Sequence, residues 1–142
     1  MTEIHFFKED CEIDLRKLKN HKSWLVHLAK QYNYHIQELN YIFCSDEYLH
    51  KINLEYLNHD TYTDIITFDL QEKASKDRTI ESDIFISVDR VQENADKLNT
   101  DMLEELKRVM AHGLLHLIGF KDKTVTEKEE MRLAENKALE LL

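Results

Sequence analysis

The chain has no proline and only two glycines, Gly113 and Gly119, and both fall inside one stretch of seven residues. Glycine is the residue for backbone conformations that side chains resist and for close approach of one element to another. A chain that concentrates both glycines in one place marks that place as special. The rest must turn without glycine or proline, so its elements are expected to be regular and joined by polar turns.

At 142 residues the chain has the length of one domain. There is no repeat, linker or low-complexity segment, so residues 1–142 are expected to form a single domain. Hydrophobic residues make up 42% and charged residues 33%, which excludes a mainly disordered chain. No apolar run reaches the length of a membrane span. The start, MTEIHFFKED, lacks the basic and apolar regions of a secretory signal. Cys11 and Cys44 are too few for a disulfide framework and read as free thiols, and a cytoplasmic location is expected. Lys plus Arg is 19 against 28 Asp plus Glu, a net charge of −9. That argues against broad nucleic-acid affinity but permits a local basic site on an acidic body.

Residues 3–8, 39–44, 64–70 and 82–88 read as strands, the last two rich in β-branched and aromatic residues. Asp14 can cap a helix carrying Leu15, Leu18, Leu25, Leu28 and Tyr32 at helical spacing. Ser45 caps a second helix through about Tyr56. Residues 57–63 form a polar loop and 71–80 a charged turn. Further helices are predicted over 89–98, 101–118 and 126–141, the last opened by a capping box of Thr126 and Glu129. The expected fold is α+β: a small mixed sheet of about four strands packed by about five helices.

The chemistry concentrates in Ala111–Lys123, AHGLLHLIGFKDK. His112 and His116, four apart on a helix, lie about 40° apart around its axis and about 6 Å apart along it. Their imidazoles can converge on one cation. Gly119 sits where a helix ends in a positive-φ reversal, which can return Asp122 toward the histidines. The pattern HxxxHxxGxxD thus predicts three metal ligands, His112, His116 and Asp122, at the C-terminal end of a helix, with a fourth position open. Two core histidines would be the plainer reading. The apolar stripe of Leu103, Leu106, Met110, Gly113, Leu114 and Leu117 argues against it, because both histidines lie about 120° from its centre. Zinc is the default ion for two imidazoles and a carboxylate. Gly113 stands where a metalloprotease helix carries its glutamate base, so peptide hydrolysis is disfavoured.

HGLLHLIGF resembles the metal motif of the YbeY family of bacterial metal-dependent endoribonucleases, roughly HGxLHLxGYDH. His112, Gly113, Leu115, His116, Leu117 and Gly119 match it. Thr63–Asp69 (TDIITFD) is similar to the family's TDVLSFP, Ser82–Arg90 (SDIFISVDR) to its GDIxIS strand, and Asn53 to its LNxxYR element. The resemblance implies a metal-dependent, single-strand-specific endoribonuclease acting in ribosomal RNA maturation and ribosome biogenesis, with RNA and the ribosome or its assembly factors as partners. The family's third histidine falls on Asp122 and its arginine on Leu57. The site implied is therefore two histidines and one aspartate, with phosphate handling passed to other residues. Lys121 and Lys123 flank the third ligand, and Glu105, two turns before His112, could stand behind the histidines. No general base is assigned. Asp64, Asp69 and Asp83 read as turn or cap residues at strand ends. Arg16, Lys17, Lys19 and Lys22 read as a solvated helix face, and Trp24 as packing. Neither Trp24 nor the tyrosines form a visible array for stacking bases. A non-catalytic ribosome-binding protein with a structural metal, or a metal hydrolase of another substrate, are the alternatives.

Overall fold

The computed structural model describes residues 2–70 and 77–142. In chain order the elements are β1 (Glu3–Glu9), a 3₁₀ turn (Leu15–Leu18), α1 (His21–Gln31), β2 (His35–Cys44), α2 (Asp46–Leu57), β3 (Ile65–Asp69), β4 (Thr79–Ser87), α3 (Val88–Leu98), α4 (Met102–Ile118) and α5 (Val125–Glu140). The strands form one sheet in the order β1-β2-β4-β3. β1, β2 and β4 run parallel, and β3 pairs antiparallel with β4. Among the described residues, the α+β class, the mixed four-stranded sheet and the five α-helices agree with the sequence reading.

Several boundaries shift for local reasons. Asp14 does cap, but its carboxylate accepts from the Arg16 amide and opens only the 3₁₀ turn. The long helix begins afresh at His21. β2 starts at His35, four residues before the expected strand, and a register irregularity between Ile36 and Glu38 separates that start from the rest. Of the charged turn expected over 71–80, residues 71–76 lie outside the described residues, and Thr79 and Ile80 belong to β4. The capping box of α5 uses Thr124 and Glu127, not Thr126 and Glu129. Asp83 lies within β4 rather than at its end, and its carboxylate accepts from the Asn40 amide at 3.0 Å.

Asparagine takes over where glycine is missing. Asn33, Asn58 and Asn99 follow α1, α2 and α3 with φ of 63°, 54° and 54°. Asparagine tolerates this left-handed conformation better than other side chains. The glycines then go where asparagine would not serve. A Cβ on Gly113 would lie 2.9 Å from Ile65 Cδ1 and 3.2 Å from Ile84 Cδ1, so α4 rests close against β3 and β4. Gly119 has φ 125° and open space around its Cβ position; here the backbone, not the packing, demands glycine.

The main core lies between the sheet and α1, α3, α4 and α5, around Leu25, Leu28, Leu39, Ile84, Leu106, Met110 and Leu114. Trp24 is part of it, with its indole N–H donating to the Ala138 carbonyl at 2.7 Å. The fully buried Tyr41 hydroxyl donates to the Met110 carbonyl at 2.8 Å, tying β2 to the middle of α4. A smaller cluster of Cys44, Leu49 and Ile66 lies beneath α2. Both cysteines are free thiols. No helix among the described residues is long and apolar enough to cross a membrane.

Candidate metal centre

The last two turns of α4 carry His112 and His116 on the face away from its buried stripe. After Ile118 the helix closes in a reversal: Gly119 N–H bonds to the Leu115 and His116 carbonyls, and Phe120 N–H to Leu115 at 3.0 Å. These bonds satisfy carbonyls that a helix end leaves open. The chain turns at the positive φ of Gly119 and brings Asp122 back over the histidines. The Thr124–Glu127 box then fixes the entry to α5, and Glu127 also accepts from the Lys123 amide at 3.2 Å.

Three atoms meet as a result. His112 Nε2 and His116 Nε2 are 3.0 Å apart, and Asp122 Oδ2 is 3.2 Å from each. His112, His116 and Asp122 form the one group among the described residues whose ligand atoms could share an ion. A tetrahedral ion with nitrogen and oxygen ligands at about 2.0–2.1 Å keeps those ligands about 3.3 Å apart, close to the spacing found. Their side chains are 22%, 33% and 39% exposed, so one side of the group stays open to solvent.

The chemistry of the donor set agrees. His112 Nδ1 lies 2.7 Å from Glu135 Oε2. A carboxylate there accepts the Nδ1 proton and leaves a lone pair on Nε2, facing His116 and Asp122. Two imidazole nitrogens and a carboxylate oxygen so close together can share few protons, and a cation suits them better. Burial disfavours the charged form of His112, but the Glu135 hydrogen bond and the charges of Glu135, Asp122 and Asp64 outweigh it and raise its pKa. Burial likewise pushes Glu135 up, but its bonds to His112 and Arg108 more than offset that and hold it low. Arg108 Nη1 donates to Glu135 Oε1 at 2.8 Å, and its Nη2 donates to Asn136. A relay therefore runs from Arg108 through Glu135 to His112.

The residue behind His112 is thus Glu135 of α5, not Glu105. Glu105 is buried on α4 with its pKa raised mainly by burial and also by Asp64 and Glu135, and no hydrogen bond joins it to either histidine. Arg108 did carry a signal, since it stands one helical turn before His112. Glu135 carried none, being 23 residues from its partner. Lys121 and Lys123 are exposed beside Asp122. Leu57, at the family's arginine position, is the exposed last residue of α2. Arg16 is paired with Asp14 at 2.9 Å, so the basic cluster near α1 is partly neutralised.

A half-open group of three donors, one of them held by a buried carboxylate, on an α+β scaffold defines a candidate metallohydrolase centre. Comparison with known proteins specifies the class. The family model described as Endoribonuclease YbeY matches residues 3–142, and the chain belongs to that family. Curated relatives named Endoribonuclease YbeY include one from Cytophaga hutchinsonii, 55% identical over 97% of this chain and 94% of its own. Another, from Christiangramia forsetii, is 50% identical over 98% of this chain and 94% of its own. Among solved structures, a solution structure of a Thermotoga maritima protein superposes with a TM-score of 0.70 at 27% identity, covering 97% of this chain and 87% of that one.

Proposed function

We infer that this chain is an endoribonuclease that hydrolyses RNA phosphodiesters, the activity its curated relatives are named for. We further propose that His112, His116 and Asp122 hold one metal ion, zinc by the preference of two imidazoles and one carboxylate. The observation that carries this reading is the approach of the three ligand atoms to within 3.2 Å of one another. Structural zinc takes four protein ligands, whereas catalytic zinc takes three and keeps a place for water or substrate. Bound there, the ion would supply Lewis-acid polarisation of a phosphoryl oxygen and acidify a water.

The chain's own residues do the rest. Glu135 holds the His112 imidazole in one tautomer and orientation. Gly119 sets the position of Asp122. Lys121 and Lys123 lie where they can offset the charge of an incoming phosphate. The aspartate in the third position removes one unit of positive charge relative to three histidines, so acidification of a bound water should be weaker than at an all-histidine site. Residues 1–142 act as one domain in this reading, working in the cytoplasm on ribosomal RNA during its maturation, with the ribosome or its assembly factors as partners. The non-catalytic alternative has less support, because it leaves the open side of the site without a purpose.

Metal analysis of wild type and of His116→Ala tests the site: one bound ion per chain in wild type and none in the variant is expected, and equal content in both would overturn it. Incubating metal-loaded protein with single-stranded and structured RNA, with and without chelator, tests the activity. Cleavage that survives both chelation and His116→Ala would belong to a contaminant.

A further inference from the structure

The reversal that places Asp122 also forms one wall of a cavity of about 450 Å³. Its lining includes Tyr32, Tyr34, Arg78, Phe120, Lys121 and Glu130. These residues are scattered through the sequence. The turn between α1 and β2, the start of β4 and the loop after α4 bring them together. Lys121 is the immediate neighbour of Asp122, and two peptide units span at most about 7.6 Å between Phe120 and Asp122. The loop that lines the cavity with Gly119, Phe120 and Lys121 therefore runs directly into the ligand Asp122.

The cavity brings aromatic and cationic side chains together. Phe120 meets Tyr32 edge to face, with ring centroids 5.4 Å apart. The Arg78 guanidinium lies over the Tyr34 ring, 5.4 Å from its centroid. All three aromatic side chains are only partly buried. Arg78 has φ 57°, a left-handed conformation that residues with a side chain resist. Its guanidinium also donates to the Tyr32 carbonyl at 3.1 Å, so this conformation holds the cation at the cavity edge. Aromatic faces beside fixed cations are what single-stranded nucleic acid needs: the rings stack on a base and the cations meet the backbone. Glu130 repels a phosphate on its own side of the cavity. Glu127 nearby is occupied by the Thr124 and Lys123 amides.

We propose that this cavity is a nucleotide subsite, holding one unpaired base of the RNA substrate against Tyr34 and Phe120, with Arg78 and Lys121 on the adjoining phosphates. The subsite rests on the endoribonuclease reading, since it seats a neighbour of the nucleotide being cut. Such a subsite accords with the single-strand specificity that the family resemblance implies, because a base inside a duplex cannot leave its stack without loss.

The test uses full-length, metal-loaded protein and a short single-stranded oligoribonucleotide, with kcat and KM measured separately. Loss of one base–aromatic stack corresponds to about 5- to 100-fold in affinity. Tyr34→Ala and Phe120→Ala are therefore expected to raise KM at least about 5-fold while kcat stays within about two-fold and metal content is unchanged. Tyr34→Phe, which keeps the ring, should restore the wild-type KM. If Tyr34→Ala fails to fold, Arg78→Gln and Phe120→Leu carry the same comparison. Unchanged KM in the folded variants, or a loss confined to kcat, overturns the subsite while leaving the endoribonuclease reading intact. Absence of chelator-sensitive cleavage in wild type would instead overturn the underlying reading, and the subsite with it.

Discussion

Glu135 Oε2 stands 2.7 Å from His112 Nδ1 while Arg108 holds the other carboxylate oxygen at 2.8 Å. The carboxylate is buried and cannot swing away to solvent, so it decides which nitrogen of His112 faces the other ligands. Glu135→Gln keeps the volume and removes the charge. Loss of such a supporting partner typically weakens metal binding about 10- to 100-fold, and that range is expected here. Competition against a chromophoric chelator measures it. Undiminished affinity would mean that His112 needs no support from α5.

The two glycines are expected to fail differently. Gly119→Ala meets no atom within 4 Å but must hold a positive φ, at about 1–2 kcal/mol. It should also weaken metal binding by displacing Asp122. Gly113→Ala pushes on the movable end of Ile65 and gains about 1 kcal/mol of helix propensity, so its net effect should be small. Gly113→Val overpacks the contact with Ile84 and should lose about 1–3 kcal/mol. Urea unfolding with parallel metal titrations separates the cases. A Gly119→Ala protein with wild-type stability and metal affinity would show that the reversal does not depend on glycine.

Tyr41 and Met110 join the sheet to the helix that bears the ligands. Tyr41→Phe deletes one buried hydrogen bond and leaves the ring packing alone. A loss of about 0.5–1.5 kcal/mol is expected in denaturant unfolding, with metal stoichiometry unchanged. A larger loss with metal release would mean that this bond sets the position of α4.

His21 gives the acid limb of stability a distinct contribution. Neither of its buried ring nitrogens has a well-formed hydrogen bond, and its ring packs edge-on to Trp24 at 5.7 Å. Burial, then the Lys107 charge, lowers its pKa; the Leu18 carbonyl and Glu104 offset this only in part. A histidine with a depressed folded pKa binds its proton more readily when unfolded. Its neutral form therefore contributes fully above the unfolded value of about 6.5, and that contribution is lost as pH falls through the folded value. Relative to wild type, His21→Phe should gain stability as pH falls from 7.5 to 5. Urea midpoints for both proteins across that range check the sign. A constant difference would remove His21 from the acid response.

Much of this was legible in advance where spacing alone carries the geometry. Two histidines one turn apart, a glycine three residues on and an aspartate three further meet in the fold as the pattern requires. Local information was insufficient in three places. Thr124–Glu127 and Thr126–Glu129 both satisfy the capping pattern, and one segment cannot choose between overlapping boxes. Asp14 caps, but nothing local to it reveals that the chain breaks again at Lys19 and Asn20 before α1. Glu135 reaches His112 because α5 packs back along α4, a tertiary event without a short-range trace. The aromatic cavity is of the same kind: Tyr34, Arg78 and Phe120 come together only after the sheet and the last two helices are in place.

The donors and their support divide between two helices: the histidines come from α4, Glu135 from α5, and Asp122 from the join between them. An ion seated among them would act as a clasp on that hairpin, linking its own occupancy to how firmly the final helix is held. Stripping the metal should then register beyond the ligands themselves, as faster amide exchange along residues 125–140, while the paired strands β1 and β2 keep their protection.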